Sequence, residues 1–143
     1  MENAENAYWA LCAEIRKDEA RAALPLERRI LSLGDFIDNC LTNGFSAFDC
    51  NGRWSIVPAA ELMDEIDEPV FAKELRACIA ICREYGKKVG RDPFDYTVEY
   101  VSLDEETENK ISAREFDFTD YADPEITERL CRKTIDYFHK HHE

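Results

Sequence analysis

Glu61, Asp64, Glu65 and Glu68 stand at i, i+3, i+4 and i+7. On a helix that spacing gathers carboxylates on one face, with neighbours about 5–6 Å apart. The chemistry open to such a face is charge presentation rather than bond making. Like pairs at these offsets cost a helix a few tenths of a kcal/mol each. The dipole of a helix N-terminus offsets that cost for Glu61, but not for Glu65 and Glu68, which fall toward the other end. Carboxylates at this spacing along a rod resemble a nucleic-acid backbone, which carries roughly one charge per 3.4 Å of axis per strand. A basic, DNA-binding face could dock on them; the simpler reading is a solvated surface.

A second acidic group follows in LDEETENKISAREFDFTDYADPE, residues 103–125, where nine acids are opposed only by Lys110 and Arg114. Asp104, Glu105, Glu106, Glu108, Glu115, Asp117, Asp120 and Asp123 are the candidate phosphate surrogates here. Ile111, Phe116, Phe118 and Tyr121 interrupt them. Apolar residues at those positions are expected to pin the segment to a core and hold the intervening carboxylates outward. The chain's net charge of −13 is therefore segregated: residues 61–68 carry five acids and no base, and residues 69–91 carry six bases against two acids. Such a surface repels nucleic acid and anionic membranes and attracts basic partners.

Other chemistries fail on spacing. His139, His141 and His142 form a terminal cluster read as a solvated tail, and Cys78 and Cys82 share a helix face with no second pair to complete a zinc site. Asp104–Asn109 begins like a calcium loop, yet Lys110 follows and the loop glycine is missing. No metal or cofactor is expected. Neither a nucleophile elbow nor a glycine-rich phosphate loop is present, and no histidine lies inside the apolar pattern to act as a base, so an enzyme is not expected. Aromatic residues such as Phe94, Tyr96 and Tyr100 could stack on bases, but the surrounding charge disfavours that. The six cysteines read as reduced core thiols, and the acidic N-terminal stretch does not fit an export signal, which predicts a cytoplasmic protein.

The elements that must carry these residues are helical. Tyr8, Leu11, Cys12 and Ile15 mark a helix over residues 4–23. Pro25 opens a second, whose stripe runs Leu26, Ile30, Leu33, Ile37 and Leu41 until Asn43-Gly44 stops it. Residues 45–54 read as a loop with Phe45, Phe48 and Trp54 folded onto the core and a turn at Asn51-Gly52. A short helix from Pro58 turns Leu62 and Ile66 inward, and a longer one steps through Phe71, Leu75, Cys78, Cys82 and Tyr85 to end at Gly86. Residues 94–103 read as extended or irregular, and a last helix runs from Ile126 to about His139. The expectation is one all-α domain of about five helices spanning residues 1–143, with an irregular acidic segment before the C-terminal helix, long enough to bury a core.

The order of landmarks adds a resemblance. TNGFSAF (42–48), the helix pair ELMDEIDEPVFAKELRACIAICREYG and the closing FDFTDYADPEITERLCRKTIDYFHKHH together resemble the bacterial family of DNA-mimic protein 19, over roughly residues 26–140. The family pattern tends to read Asn-Gly-Gly-Phe and then a Gln-Tyr-Phe-like triplet, where this chain has Asn43-Gly44-Phe45 and then Ser46-Ala47-Phe48. The resemblance implies an acidic, all-helical, non-catalytic binding protein. It implies a DNA-like surface presented, as a dimer, to a helix-turn-helix regulator. From charge alone a second partner is open: a basic toxin or nuclease whose cleft the domain would cover, as an immunity protein does.

Overall fold

The computed structural model describes residues 3–95 and 100–141, and among them every regular element is helical. Seven α-helices are formed: α1 (Ala4–Arg16), α2 (Glu19–Ala22), α3 (Pro25–Asp35), α4 (Phe45–Glu65), α5 (Pro69–Val89), α6 (Glu105–Ser112) and α7 (Pro124–His141). A π-helical stretch, Phe36–Leu41, prolongs α3, and a 3-10 turn, Phe118–Tyr121, precedes α7. The all-α expectation holds, with more helices than the five read from the sequence; part of the acidic segment expected to be irregular forms α6, which Asp104 caps. No described helix is long and apolar enough to cross a membrane.

Three differences from the expected element boundaries have local causes. The first helix breaks at Lys17, and the Asp18 carboxylate starts α2 by accepting the Ala20 amide at 3.0 Å. Residues 45–54 are not a loop but the first half of α4, which continues through Pro58 to Glu65. Gly52 leaves helical geometry (φ −152°, ψ 38°), so the turn signal survives only as a kink. Across the kink the Arg53 guanidinium holds Asp49, one turn earlier, at 2.5 and 2.8 Å. Helical phase then separates the three aromatics: Phe45 and Phe48 are buried, whereas Trp54, next to inward-facing Arg53 and Ser55, is 56% exposed. Finally, α5 does not end at Gly86 but at Val89, where Gly90 takes the left-handed conformation (φ 74°). Of the stretch read as extended or irregular, Tyr96 and Val98 lie outside the described residues.

One core binds the helices together. Phe36, Phe48, Phe71, Leu33, Leu62, Met63 and Leu75 are all buried in it. Each such side chain contributes about 1.5–3 kcal/mol relative to exposure. The Phe36 ring meets Phe48, Phe71 and Phe118 edge-on, with centroids 6.1, 5.4 and 5.8 Å apart. In the α1–α3 contact the buried Tyr8 hydroxyl donates to the Ile30 carbonyl at 2.5 Å and accepts from the Gly34 amide at 2.7 Å. It thus bridges the carbonyl and amide that an α-helix would pair directly, one turn before the π-helical stretch. Five cysteines are buried and Cys50 is exposed; all six are free. Burial pushes the Cys78, Cys82 and Cys131 thiols up to about 12.

Candidate acidic interface

The α4–α5 corner carries part of the first acidic group. Asp67 takes a left-handed conformation (φ 59°), and the Glu68 amide reaches back to the Met63 carbonyl at 2.8 Å, closing α4 and reversing the chain. The stripe inferred at i, i+3, i+4 and i+7 is broken here. Glu61 and Asp64 are exposed on α4 and Glu65 is its last residue, but Glu68 lies beyond the helix. Glu68 is not a presented charge. It is buried at 6% exposure and accepts from Arg129 at 2.9 and 2.8 Å and from Lys133 at 2.7 Å, both on α7. Desolvating a carboxylate is costly unless cations and hydrogen bonds replace water, and these three bonds do so.

Glu61 and Asp64 are presented, but each has a cation beside it. The Arg29 guanidinium stands 3.6 Å from Glu61, and Arg76 of α5 pairs with Asp64 across the helix pair. Asp64 therefore faces the basic side of α5, whereas Glu61 pairs with α3 and borders the groove between α4 and α5. The second group divides in two. Asp104 accepts the Thr107 amide at 2.8 Å and starts α6; the amide and hydroxyl of Thr107 hold its carboxyl below the usual carboxylate range. Glu105, Glu106 and Glu108 are exposed on the first turns of α6, where the helix dipole favours them. Glu106 lies 3.9 Å from Lys88 of α5 and 3.7 Å from Lys110.

The remainder, residues 115–123, forms the anchored segment that the alternation of aromatic and acidic residues foretold. Phe118 is buried, and Phe116 and Tyr121 pack against the core. Tyr121 lies edge-on to Phe71 at 5.3 Å and parallel to Phe116 at 5.1 Å. Glu115, Asp117, Asp120 and Asp123, the residues between and after these rings, are exposed. Two of them also shape the backbone. Asp117 accepts the Thr119 hydroxyl at 2.7 Å and amide at 2.9 Å, which lower its carboxyl's affinity for a proton, and Asp123 accepts the Glu125 amide at 2.7 Å at the start of α7. Arg114, just before the segment, makes a two-pronged pair with Glu74 of α5 at 2.9 Å in both bonds.

These contacts fix the arrangement of charge. Phe71 on the first turn of α5 holds Tyr121, and Glu68 just before it holds Arg129 on the second turn of α7. These contacts tie the corner that carries the exposed Glu65 and Asp67 to the segment that carries Glu115, Asp117, Asp120 and Asp123, an acidic pole in which Arg129 and Lys133 are also partly exposed and Lys133 donates to the Asp67 carbonyl at 3.0 Å. The acids of α6 lie elsewhere, beside the C-terminal half of α5. Glu61 and Asp64 approach α5 on the side of Arg76, whereas α6 approaches on the side of Lys88, and the basic side chains of α5 separate the two. The acidic residues thus form a pole and two flanks, not one continuous sheet of charge.

Sequence reasoning gave Asp67 no role because it lies off the helical stripe, although an Asp before Glu-Pro at a helix end was a visible signal for a left-handed corner. The pairing of Glu68 with Arg129 and Lys133, more than sixty residues away, leaves no local trace. Among the described residues no His, Cys, Asp and Glu side chains gather in a group able to hold a metal ion. No protein-family model, curated protein or solved structure matches this chain.

Proposed function

We propose that this chain is an acidic protein–protein interaction domain whose pole, Glu65, Asp67, Glu115, Asp117, Asp120 and Asp123, engages a basic partner. The observation that carries the reading is the alternation of exposed carboxylates with ring-anchored aromatics in residues 115–123. A solvating surface needs no fixed backbone. Here three packed rings and two carboxylate-capped turns hold the charges in place, which lowers the ordering cost a partner must meet. The resemblance to the DNA-mimic family suggests the specific form: carboxylates standing in for phosphates toward a DNA-binding protein, without catalysis by this chain. Glu68 is not among the surrogates, and Glu61, Asp64 and Glu106 are secondary because their carboxylates have cations of α3, α5 and α6 beside them; at the pole Arg129 and Lys133 are engaged by the buried Glu68 and the Asp67 carbonyl.

The test uses substitutions that spare the capping carboxylates: Glu65→Lys, Glu115→Lys and Asp120→Lys together. The wild-type chain, immobilised in lysate of its own cell, should retain a basic DNA-binding protein. Duplex DNA and rising salt should release that protein, and the triple variant should not retain it. A partner held equally by the variant, or indifferent to DNA and salt, refutes the reading. Recovery of a toxin or nuclease that the chain silences would transfer the same pole to the immunity role.

A further inference from the structure

A second surface differs in kind from the acidic pole. Between α4 and α5 runs an open groove of about 510 Å³. Its floor is apolar and shallow, formed by Val57 and Ala60 from α4 and Ile79 and Ala80 from α5. Its rims differ in charge: Glu61 and Asp64 line the α4 side, and Arg76, Arg83 and Lys87, with Glu84 among them, line a net basic α5 side. At 56% exposure Trp54 has the largest share of open surface among the exposed large hydrophobics. It does not line the groove; seven residues before Glu61, helical phase puts it on the same side of α4, about 10 Å along the axis. Exposed tryptophan beside a small-residue floor is the composition of an interface centre, where Trp and Arg dominate binding energy.

We infer that this groove docks an amphipathic helix from another protein, with short apolar residues along its buried face, Lys or Arg on the flank that meets α4 and Asp or Glu on the flank that meets α5. Two antiparallel helices leave a groove of helical width between them, and Ala60 and Ala80 let a third backbone approach closely. The flank chemistry follows from the rims. A purely basic helix would meet Arg76, Arg83 and Lys87, and a purely acidic one would meet Glu61 and Asp64. The rim groups already have partners, and these are exchangeable surface pairs: Arg76–Asp64 and Arg83–Asp92 are about half exposed on both sides, Lys87 stands 3.6 Å from Glu84 with both chains largely in water, and Glu61 stands 3.6 Å from Arg29. This surface is independent of the acidic pole, whose partner would be basic throughout.

The probe is a set of three stapled helices of about four turns, alike in a Leu/Ala face and differing in flanks: Lys opposite Glu, Lys on both, Glu on both. Binding to the full chain is read by fluorescence anisotropy and by amide shifts at Val57, Ala60, Ile79 and Ala80. The Lys/Glu helix should bind saturably and shift these residues. Ala80→Trp, which fills the groove from an exposed position, should abolish that binding; Lys87→Glu should weaken it about tenfold through like-charge contact. Glu115→Lys with Asp120→Lys should leave it unchanged, so failure here is separable from failure at the pole. Equal binding of the all-Lys helix, persistence of binding in Ala80→Trp, or no binding of any helix overturns the inference. So does self-association of the chain that Ala80→Trp breaks, since the occupant would then be a second copy.

Discussion

Neutralising Glu68 separates a structural carboxylate from the presented ones in a single measurement. In Glu68→Gln the shape is kept and one acceptor oxygen remains, so no cavity forms. The wild-type carboxylate accepts three bonds from Arg129 and Lys133 at 2.7–2.9 Å. Breaking a buried pair by removing one partner costs about 3–5 kcal/mol when the other charge stays buried. Here the side chains of Arg129 and Lys133 are 45% and 36% exposed, so both cations can turn to water and that part of the penalty is avoided. What remains is the loss of the bond or bonds at the position the amide nitrogen takes, since it cannot accept, and of charge assistance in the rest, about 1–2 kcal/mol in total. At a urea dependence of about 2 kcal/mol/M, the unfolding midpoint should fall by roughly 0.5–1 M. Far-UV circular dichroism through a urea titration reads this directly, with Glu65→Gln as the control, expected within about 0.5 kcal/mol of wild type. Adding Arg129→Gln to Glu68→Gln should cost little more, because the two act as one unit. A Glu68→Gln chain as stable as the Glu65→Gln control would refute the buried network. A loss above about 4 kcal/mol would refute the claim that its cations can re-solvate.

Three further outcomes follow from local geometry. Gly86→Ala should destabilise the chain by about 1–3 kcal/mol, against the usual gain for glycine removal inside a helix, because a Cβ there would run into the Arg91 carbonyl and the Pro93 ring; thermal unfolding of the variant decides the sign. A disulfide reagent should modify Cys50 rapidly in the folded chain and the five buried thiols only on unfolding, and Cys50→Ser should remove the fast phase. The carboxyls of Asp104 and Asp117 are held below their ordinary values. Their contribution to stability is therefore present above the usual carboxylate range and lost as pH falls through the lowered values; protection of the Thr107 and Thr119 amides, taken relative to the intrinsic exchange rate at each pH, should fall over that acid window, and Asp104→Ala should remove the dependence at Thr107.

What was legible in the sequence was whatever repeats along one helix. The stripes of α3, α5 and α7 placed Ile30, Leu33, Leu75, Cys78, Cys82 and Leu130 in the core, and the interleaved rings of residues 116–121 foretold an anchored acidic segment. Residues 45–54 were misread because Asn51-Gly52 is a strong local turn signal. The Asp49–Arg53 pair carries the helix across it, aided by the Val101 carbonyl that Arg53 reaches from the far side of the chain. Trp54 was assigned to the core on its size alone, and its exposure depends on a helical phase that the loop reading denied. Glu68 continued the numerical stripe of Glu61, Asp64 and Glu65, but a left-handed residue lay between, and spacing has no meaning across a chain reversal. The partners that bury it are cations of another helix, which periodicity does not relate to it.

The Tyr8 hydroxyl has a consequence for how the molecule opens. The Gly34 amide, though it belongs to α3, is held by a side chain of α1, twenty-six residues earlier. Gly34 has no side chain where a Cβ would lie 2.8 Å from the Trp9 ring, so the two helices meet with almost nothing between them. Native-state hydrogen exchange at this one amide therefore times the departure of α1 from the body of the protein, not the fraying of α3. An amide inside one helix thus serves as the clock for another.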